Sequence, residues 1–176
     1  MPADSPASPV VRPATSADLP RLGRLGALLV EEHHDFDPLR FLSARDRTPA
    51  DYASFLARQL GKPDAVVLVA DDNGDVIGYA YATVEGYDYM SLRGPAGVLQ
   101  DIVVDPEYRR RGVGRLLLEA ALASLKSRGA PRVVLSTAKR NEAAHRLFAS
   151  AGFRPTMIEM TRELGGTVAD RVNDLG

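Results

Sequence analysis

The chain has 176 residues, a net charge of −1 and no cysteine. This length is typical of one domain and is sufficient for a hydrophobic core. The near-neutral charge argues against nucleic acid as a partner, and the lack of cysteine excludes disulfides, zinc–thiolate centres and a cysteine nucleophile. No apolar run approaches the ~20 residues that span a bilayer, and the first residues lack a signal-peptide pattern. We therefore expect a cytoplasmic protein with no membrane partner.

The first third of the chain predicts one strand and two helices. In order, we expect a disordered Pro/Ser/Ala-rich segment over residues 1–9, a strand at Val10–Arg12, a helix from Thr15 to about His33, and a helix from Thr48 to about Gly61. Leucines at helical spacing define the first helix, and its start resembles a capping box. The segment between the helices, residues 31–47, has the least pattern in the chain.

A hairpin follows these helices. Ala65–Ala70 and Val76–Glu85 are apolar runs that flank the dipeptide Asn73-Gly74, which favours a two-residue turn. On the second of these strands, small residues alternate with large ones, because Gly78, Ala80 and Ala82 share one face. That face is suited to close packing of a helix.

The stretch from Leu99 to Arg115 is the most informative part of the sequence. An apolar run buried on both faces of a sheet ends at Asp105-Pro106, and a basic glycine loop then leads into a helix. The two loop glycines lack the Cβ atoms that keep a ligand away from the backbone, and the helix start offers unpaired N–H groups to an anion. Four arginines at this positive end of the helix dipole favour a polyanionic ligand.

The last third predicts a further strand at Arg132–Thr137, a helix from Asn141 to Ser150, and a last strand or hairpin over Arg154–Leu164. The tail over residues 165–176 is predicted to be loose. The element order predicts one domain over residues 10–164, a mixed α/β sheet with helices on both faces.

Two segments carry a resemblance to a known family. Val104-Asp105-Pro106 with Arg109-x-x-Gly112-x-Gly114 resembles the acyl-coenzyme A signature of the GNAT family of N-acetyltransferases. Asn141 to Phe148 with Gly152-Phe153 is similar to the family's second conserved segment. The resemblance covers roughly residues 10–164. It implies a mostly antiparallel central sheet of six to seven strands and an acyltransferase with acetyl-CoA as its cosubstrate.

The resemblance also implies which residues bind acetyl-CoA. The pyrophosphate would lie on the N–H groups of the loop, and the pantetheine arm would lie along the central strand after two strands splay apart. Asn141 matches a residue that contacts pantetheine, and it is equally suited to capping its helix. The predicted acetyl-CoA-binding residues are Ile102, Val103, Val104, Arg109, Arg110, Arg111, Gly112, Val113, Gly114, Arg115, Asn141 and Phe148.

The family reaction is direct attack of a neutral amine on the thioester, and here the sequence departs from the family pattern. Phe148 stands where the family often has a tyrosine that acts as general acid, and an apolar residue stands at the frequent position of the glutamate base. Candidate catalytic residues are Asp101, Gln100 and Glu85, although a carboxylate such as Asp101 is as often a structural hydrogen-bond acceptor. His145 is a further candidate acid. We predict no metal, because adjacent residues of Glu31–His34 point apart on a helix.

Three functions remain open on the sequence alone. The first is an N-acetyltransferase acting on a small-molecule amine or a peptide amino group, as a monomer or homodimer. The second is a non-catalytic acyl-CoA sensor, favoured by Phe148, and the third is a nucleic-acid module, for which no second basic patch is present. The acidic residues of 31–47 and of the loop after Glu85 predict an acidic mouth for a cationic acceptor, or else an ordinary solvated surface.

Overall fold

The computed structural model describes residues 8–164, so the predicted disordered start (apart from residues 8 and 9) and the predicted loose tail lie outside the described residues. Five strands and four α-helices follow one another in the order β1 (Val10–Pro13), α1 (Leu19–Phe36), α2 (Thr48–Ala57), β2 (Ala65–Asp72), β3 (Asp75–Glu85), β4 (Ala96–Val104), α3 (Val113–Ser127), β5 (Val133–Leu135) and α4 (Glu142–Ser150). Within the described residues, no helix is long and apolar enough to cross a membrane.

The strands form one sheet in the order β1-β2-β3-β4-β5. The first four pair antiparallel, and β5 pairs parallel to β4. The predicted hairpin turn is present, since Asn73 and Gly74 have φ angles of 55° and 96° and so match the twist of the flanking strands. The mixed, mostly antiparallel fold is therefore confirmed.

Helices cover both faces of this sheet, as the alternation on β3 predicts. On one face, Ala80 and Ala82 pack in a core with Leu117 and Leu118 of α3. Gly78 is required there, because a Cβ would lie 2.6 Å from the carbonyl oxygen of Val103. On the other face, the tyrosines of β3 pack against α1 and α2.

The sheet is smaller than predicted at its carboxyl end. Over residues 8–164 it has five strands, not six to seven, and Arg154–Leu164 forms no strand. The apolar side chains of this segment are exposed: Met157 is 76% and Ile158 is 86% accessible to solvent. Alternation stabilises a strand only when a neighbouring edge pairs with it, and the adjacent edge strand β5 offers three residues.

Candidate active site

The loop between β4 and α3 leaves an open space in front of the helix. Asp105 ends the strand by accepting a hydrogen bond from the N–H of Glu107 at 2.9 Å. Arg110 and Gly112 then have φ angles of 62° and 82°, which turn the chain into α3. A Cβ built on Gly112 would have no protein atom within 4 Å. The space beside this glycine is therefore available to a ligand.

The first turn of α3 supplies hydrogen-bond donors to that space. No side chain of the described residues caps this helix end. By helical geometry the amides of Val113, Gly114 and Arg115 have no acceptor in their own helix. The Val113 side chain is 1% exposed and packs in the core, so only its backbone can contact a ligand. The helix start thus presents backbone donors in fixed positions, an arrangement suited to an anion.

The loop arginines are not all directed at this space. Arg109 donates to the carbonyl oxygen of Val104 at 3.0 Å and forms an ion pair with Glu32 of α1. Arg115 pairs with Glu119 one turn along α3 at 2.9 Å. The guanidinium of Arg111 lies over the Tyr108 ring at 5.3 Å. Carboxylates of the protein itself therefore offset part of the positive charge that the sequence places at the helix start.

A cleft opens where β4 and β5 part. Their ladder pairs Gly97, Val98 and Leu99 with Val133–Leu135 and stops there, so Gln100–Val104 has no strand partner on that side among the described residues. The β3–β4 ladder also shifts register, since Tyr81 faces Asp101 and the next residue of β3 faces Leu99. Gln100 is therefore the extra residue of a β-bulge. Both irregularities fall at the same place on β4, directly after Leu99.

A pocket of about 350 Å³ occupies this cleft. Its walls come from four parts of the chain: the end of α1, the segment after it, the freed part of β4, and the β5–α4 region. They include His33, Arg40, Phe41, Gln100, Asp101, Ile102, Ser136, Thr137, Asn141 and Phe148. The side chains of Ile102 and Val104 are partly buried on the α3 face, whereas Val103 is 4% exposed and lies in the opposite core.

Asn141, which precedes α4, and Phe148 of α4 were both predicted from the family resemblance, and both line the pocket. Asn141 Oδ1 accepts a hydrogen bond from the N–H of Ala144 at 3.0 Å, so this side chain also caps α4. Phe148 is 7% exposed, and its ring packs edge-on against Phe153 at 5.8 Å. Phe148 therefore fills the core and lines the pocket at once.

Of the three catalytic candidates, Asp101 is the carboxylate that lies in the pocket. Its Oδ2 accepts hydrogen bonds from the hydroxyls of Tyr52, at 2.7 Å, and Tyr79, at 2.9 Å. Burial raises the pKa of Asp101 above its ordinary value, and the two tyrosine hydrogen bonds oppose that rise. Tyr52 reaches this carboxylate because α1 has Gly26, whose missing Cβ would lie 2.2 Å from the Tyr52 ring.

Gln100 and Glu85 form a separate group at the rim. Gln100 Nε2 donates to Glu85 Oε1 at 3.2 Å and to Thr83 Oγ1 at 3.3 Å. Glu85 also accepts from Thr83 at 2.8 Å and from Arg93 at 2.8 Å. Glu85 does not line the pocket, and its carboxylate is held by an arginine. The structure therefore brings Gln100 to the pocket wall and leaves Glu85 outside.

The histidines are also separated. His145 is exposed on α4, outside the pocket, and its Nε2 lies 3.0 Å from the carbonyl oxygen of Ala138. His34 Nδ1 lies 3.0 Å from the carbonyl oxygen of Phe41. His33, which the sequence pattern suggested only as a rejected metal ligand, lines the pocket. Within residues 8–164 no group of three or more acidic, histidine or cysteine side chains could hold a metal ion.

The predicted acidic mouth is wrong. Glu32 is paired with Arg109, and Glu85 and Asp88 lie 2.8 and 3.7 Å from Arg93. Among the described residues, none of the acidic side chains of segment 31–47 or of the loop after β3 lines the pocket. Acidic residues counted along a sequence do not reveal which of them have arginine partners in the fold.

Comparison with known proteins agrees with this geometry. Residues 28–153 match the model of the acetyltransferase (GNAT) family. A mycothiol acetyltransferase from Thermobispora bispora is 40% identical over 96 residues, which is 52% of this chain and 31% of that protein. An aminoglycoside N(6')-acetyltransferase type 1 from Klebsiella aerogenes is 29% identical over 104 residues, 59% of this chain and 68% of that protein. The chain thus spans about a third of the first relative's length and two thirds of the second's.

The fold also recurs among solved structures. A tetramutant of the BH1408 protein from Bacillus halodurans superimposes with a TM-score of 0.76 at 24% identity. The superposition covers 88% of this chain and 99% of that one. This similarity extends the agreement from the matched segments to almost the whole described domain.

Proposed function

Because the chain belongs to the acetyltransferase (GNAT) family, an acyltransferase family whose members use acetyl-CoA, we propose that it transfers the acetyl group of acetyl-CoA to a primary amine. The observation that carries the proposal is the cleft between β4 and β5, where one edge of β4 is free. That free edge runs to Val104, whose side chain lies 3.7 Å from the position of a Cβ on Gly114, in the uncapped first turn of α3. An elongated ligand with an anionic middle and an acyl thioester at one end matches this arrangement of donors and apolar walls.

In this proposal each part of acetyl-CoA has its own contacts. The pyrophosphate accepts hydrogen bonds from backbone N–H groups of the Arg111–Arg115 loop, where Gly112 leaves room and the helix dipole favours an anion. The pantetheine arm pairs with the backbone of β4 at Ile102 and Val104, on the edge that β5 leaves open. The carbonyl oxygen of Val104 also accepts a hydrogen bond from Arg109 at 3.0 Å. Asn141 and Phe148 line the other wall, toward the thioester.

The chemical step is attack of the amine nitrogen on the thioester carbonyl. The new N–C bond forms, the C–S bond breaks, and the amine loses one proton. At pH 7 a lysine-type amine, with a pKa of ~10.4, is roughly 3 pKa units away from its neutral form, whereas an α-amino group of pKa ~8 is only about 1 pKa unit away. The bulge at Gln100 interrupts the regular pairing of β4, and in this proposal a backbone N–H of β4 at the bulge donates to the developing oxyanion. Phe148 cannot donate a proton, so solvent protonates the thiolate, whose pKa is ~8.5.

The acceptor in this proposal is a small-molecule amine or a peptide amino group. It enters between the end of α1 and β4, where Phe41 and Leu42 supply apolar surface and Asp101 supplies a carboxylate. The carboxylate attracts the ammonium form of the amine. The similarity to an aminoglycoside acetyltransferase supports an amine acceptor of this kind.

The test is release of free coenzyme A thiol from acetyl-CoA with polyamines, aminoglycosides, amino acids and peptides that have a free N-terminus. We expect thiol and acetylated amine in equal amounts with at least one acceptor. Tight binding of acetyl-CoA without turnover on any amine would overturn the proposal in favour of a sensor module. Thiol release that needs no amine would identify a thioesterase instead.

A further inference from the structure

The orientation of His33, near the carboxyl end of α1, leaves one of its ring nitrogens available to a ligand. Its Nδ1 lies 2.8 Å from the carbonyl oxygen of Leu29, one turn earlier. A carbonyl oxygen only accepts, so Nδ1 carries the hydrogen, and the neutral ring then has its lone pair on Nε2. Among the described residues Nε2 has no hydrogen-bond partner. The nitrogen that can take up a proton is therefore directed away from the helix backbone.

Aromatic neighbours fix this imidazole at the pocket wall. The Phe36 ring meets it edge-on at 5.9 Å and 82°, and the Phe41 ring at 5.0 Å and 73°. His33 lines the pocket together with Asp101 of β4 and Phe148 of α4. The ring is thus held in one orientation by the hydrogen bond to Leu29 and by two rings, beside the place where the thioester and the amine would meet.

The charged groups that face His33 come from two other elements. Asp101 lies on β4, where Tyr52 and Tyr79 hold its Oδ2. Arg40, in the segment after α1, also lines the pocket, but it forms an ion pair with Glu159. The buried carboxylate therefore has no paired cation among the described residues. An imidazolium formed on His33 would be stabilised by it.

We propose that His33 is the general base of the acetyl transfer and that Asp101, held by Tyr52 and Tyr79, is a positioning residue that stabilises the imidazolium. As the amine nitrogen attacks the thioester, its N–H bond breaks and Nε2 takes the proton. The C–S bond breaks, and the thiolate takes a proton from solvent. His33 later returns its own proton to solvent. This proposal rests on the proposed function.

The alternative base, Asp101, is the weaker choice on geometric grounds. Its Oδ2 already accepts two hydroxyl hydrogen bonds, whereas Nε2 of His33 has no hydrogen-bond partner among the described residues. The two assignments give different pH profiles in matched variants.

The experiment compares His33→Gln, Asp101→Asn and His145→Gln with the wild type. For His33→Gln we expect kcat to fall roughly 100-fold or more, the KM for acetyl-CoA to stay the same, and the acidic limb of the kcat/KM profile to disappear. For Asp101→Asn the limb should remain and kcat should fall, because the carboxylate no longer stabilises the imidazolium that forms as the amine loses its proton. His145 lies outside the pocket, and its variant should behave as the wild type.

Two further measurements separate catalysis from structure. Added imidazole should restore part of the activity of His33→Ala, which a purely structural histidine would not allow. Nitrogen-15 spectra of the wild type should show His33 with its proton on Nδ1 near neutral pH, whether or not an acceptor is known.

The failures of the two proposals differ. If wild type binds acetyl-CoA and acetylates no amine, the proposed function fails and this assignment fails with it. If wild type is active and His33→Gln keeps its kcat and its acidic limb, only the base assignment is overturned. The base assignment alone is also overturned if the spectra place the His33 proton on Nε2. It is likewise overturned if Asp101→Asn, and not His33→Gln, removes the acidic limb of the kcat/KM profile.

Discussion

Replacement of Gly112 by valine tests the proposed anion site at the start of α3. Gly112 has φ 82°, and the position of its absent Cβ is open for 4 Å. A valine there would bring a branched side chain into the space that we assign to the pyrophosphate. It would also place a β-branched residue in the left-handed region, at a cost of about 1–3 kcal/mol in folding free energy.

Gly129 provides the matched control at the opposite end of the same helix. Its φ is 83°, and its absent Cβ is likewise without neighbours within 4 Å. Gly129→Val should therefore lose about the same folding free energy, roughly 1–3 kcal/mol, through the same backbone strain. The two variants differ only in their distance from the loop.

The expected difference between the two variants in affinity for acetyl-CoA follows from the phosphate hydrogen bonds that Gly112→Val would remove. Hydrogen bonds to a charged group contribute about 1.5–3 kcal/mol each, so displacement of the phosphate from two amides costs at least about 3 kcal/mol. This is a loss of roughly 100-fold in affinity for acetyl-CoA. Calorimetry should show that loss for Gly112→Val and unchanged affinity for Gly129→Val. Equal affinities in two folded variants would refute the anion site.

Three shorter predictions concern the walls and the core. Phe148→Tyr should keep or raise kcat if the ring faces the thioester, whereas a lower melting temperature with an unchanged rate would indicate a core role alone. Hydrogen bonds from Arg12 lower the pKa of Asp18 from 3.8 to about 2, so Asp18→Asn should lose about 2 kcal/mol of unfolding free energy at pH 7. A carboxylate whose pKa is lower in the folded than in the unfolded protein stabilises the fold at pH values above its unfolded pKa. Urea titrations should therefore show that the difference in unfolding free energy between the wild type and Asp18→Asn shrinks as the pH falls from about 4 to 2. Gly26→Ala should displace the Tyr52 ring and lower both melting temperature and kcat, because its Cβ would lie 2.2 Å from that ring.

Much of the fold follows from local patterns in the sequence. The turn at Asn73-Gly74, the loop from Asp105 to Arg115 and the Asn141 cap each depend on residues a few positions apart, and the structure contains all three. The small face of β3 follows from the two-residue period of a strand. The same rule wrongly predicted a strand at 154–164. A strand needs the edge of a neighbouring strand to pair with, and the alternation within one segment carries no information about that neighbour.

The pocket, by contrast, was decided by the tertiary structure. Asp101 accepts hydrogen bonds from hydroxyls of residues 49 and 22 positions away, and His33 lines the same pocket from a fourth element, α1. Nothing in the local sequence around Tyr52 identifies this residue as a hydrogen-bond partner of Asp101, since the pattern there predicts only a helix. Likewise, the ion pair between Arg109 and Glu32 neutralises one positive charge of the basic loop and one negative charge of the expected acidic mouth. Contacts between distant segments depend on how helices cross the sheet, and the spacing of residues within one element does not specify that crossing.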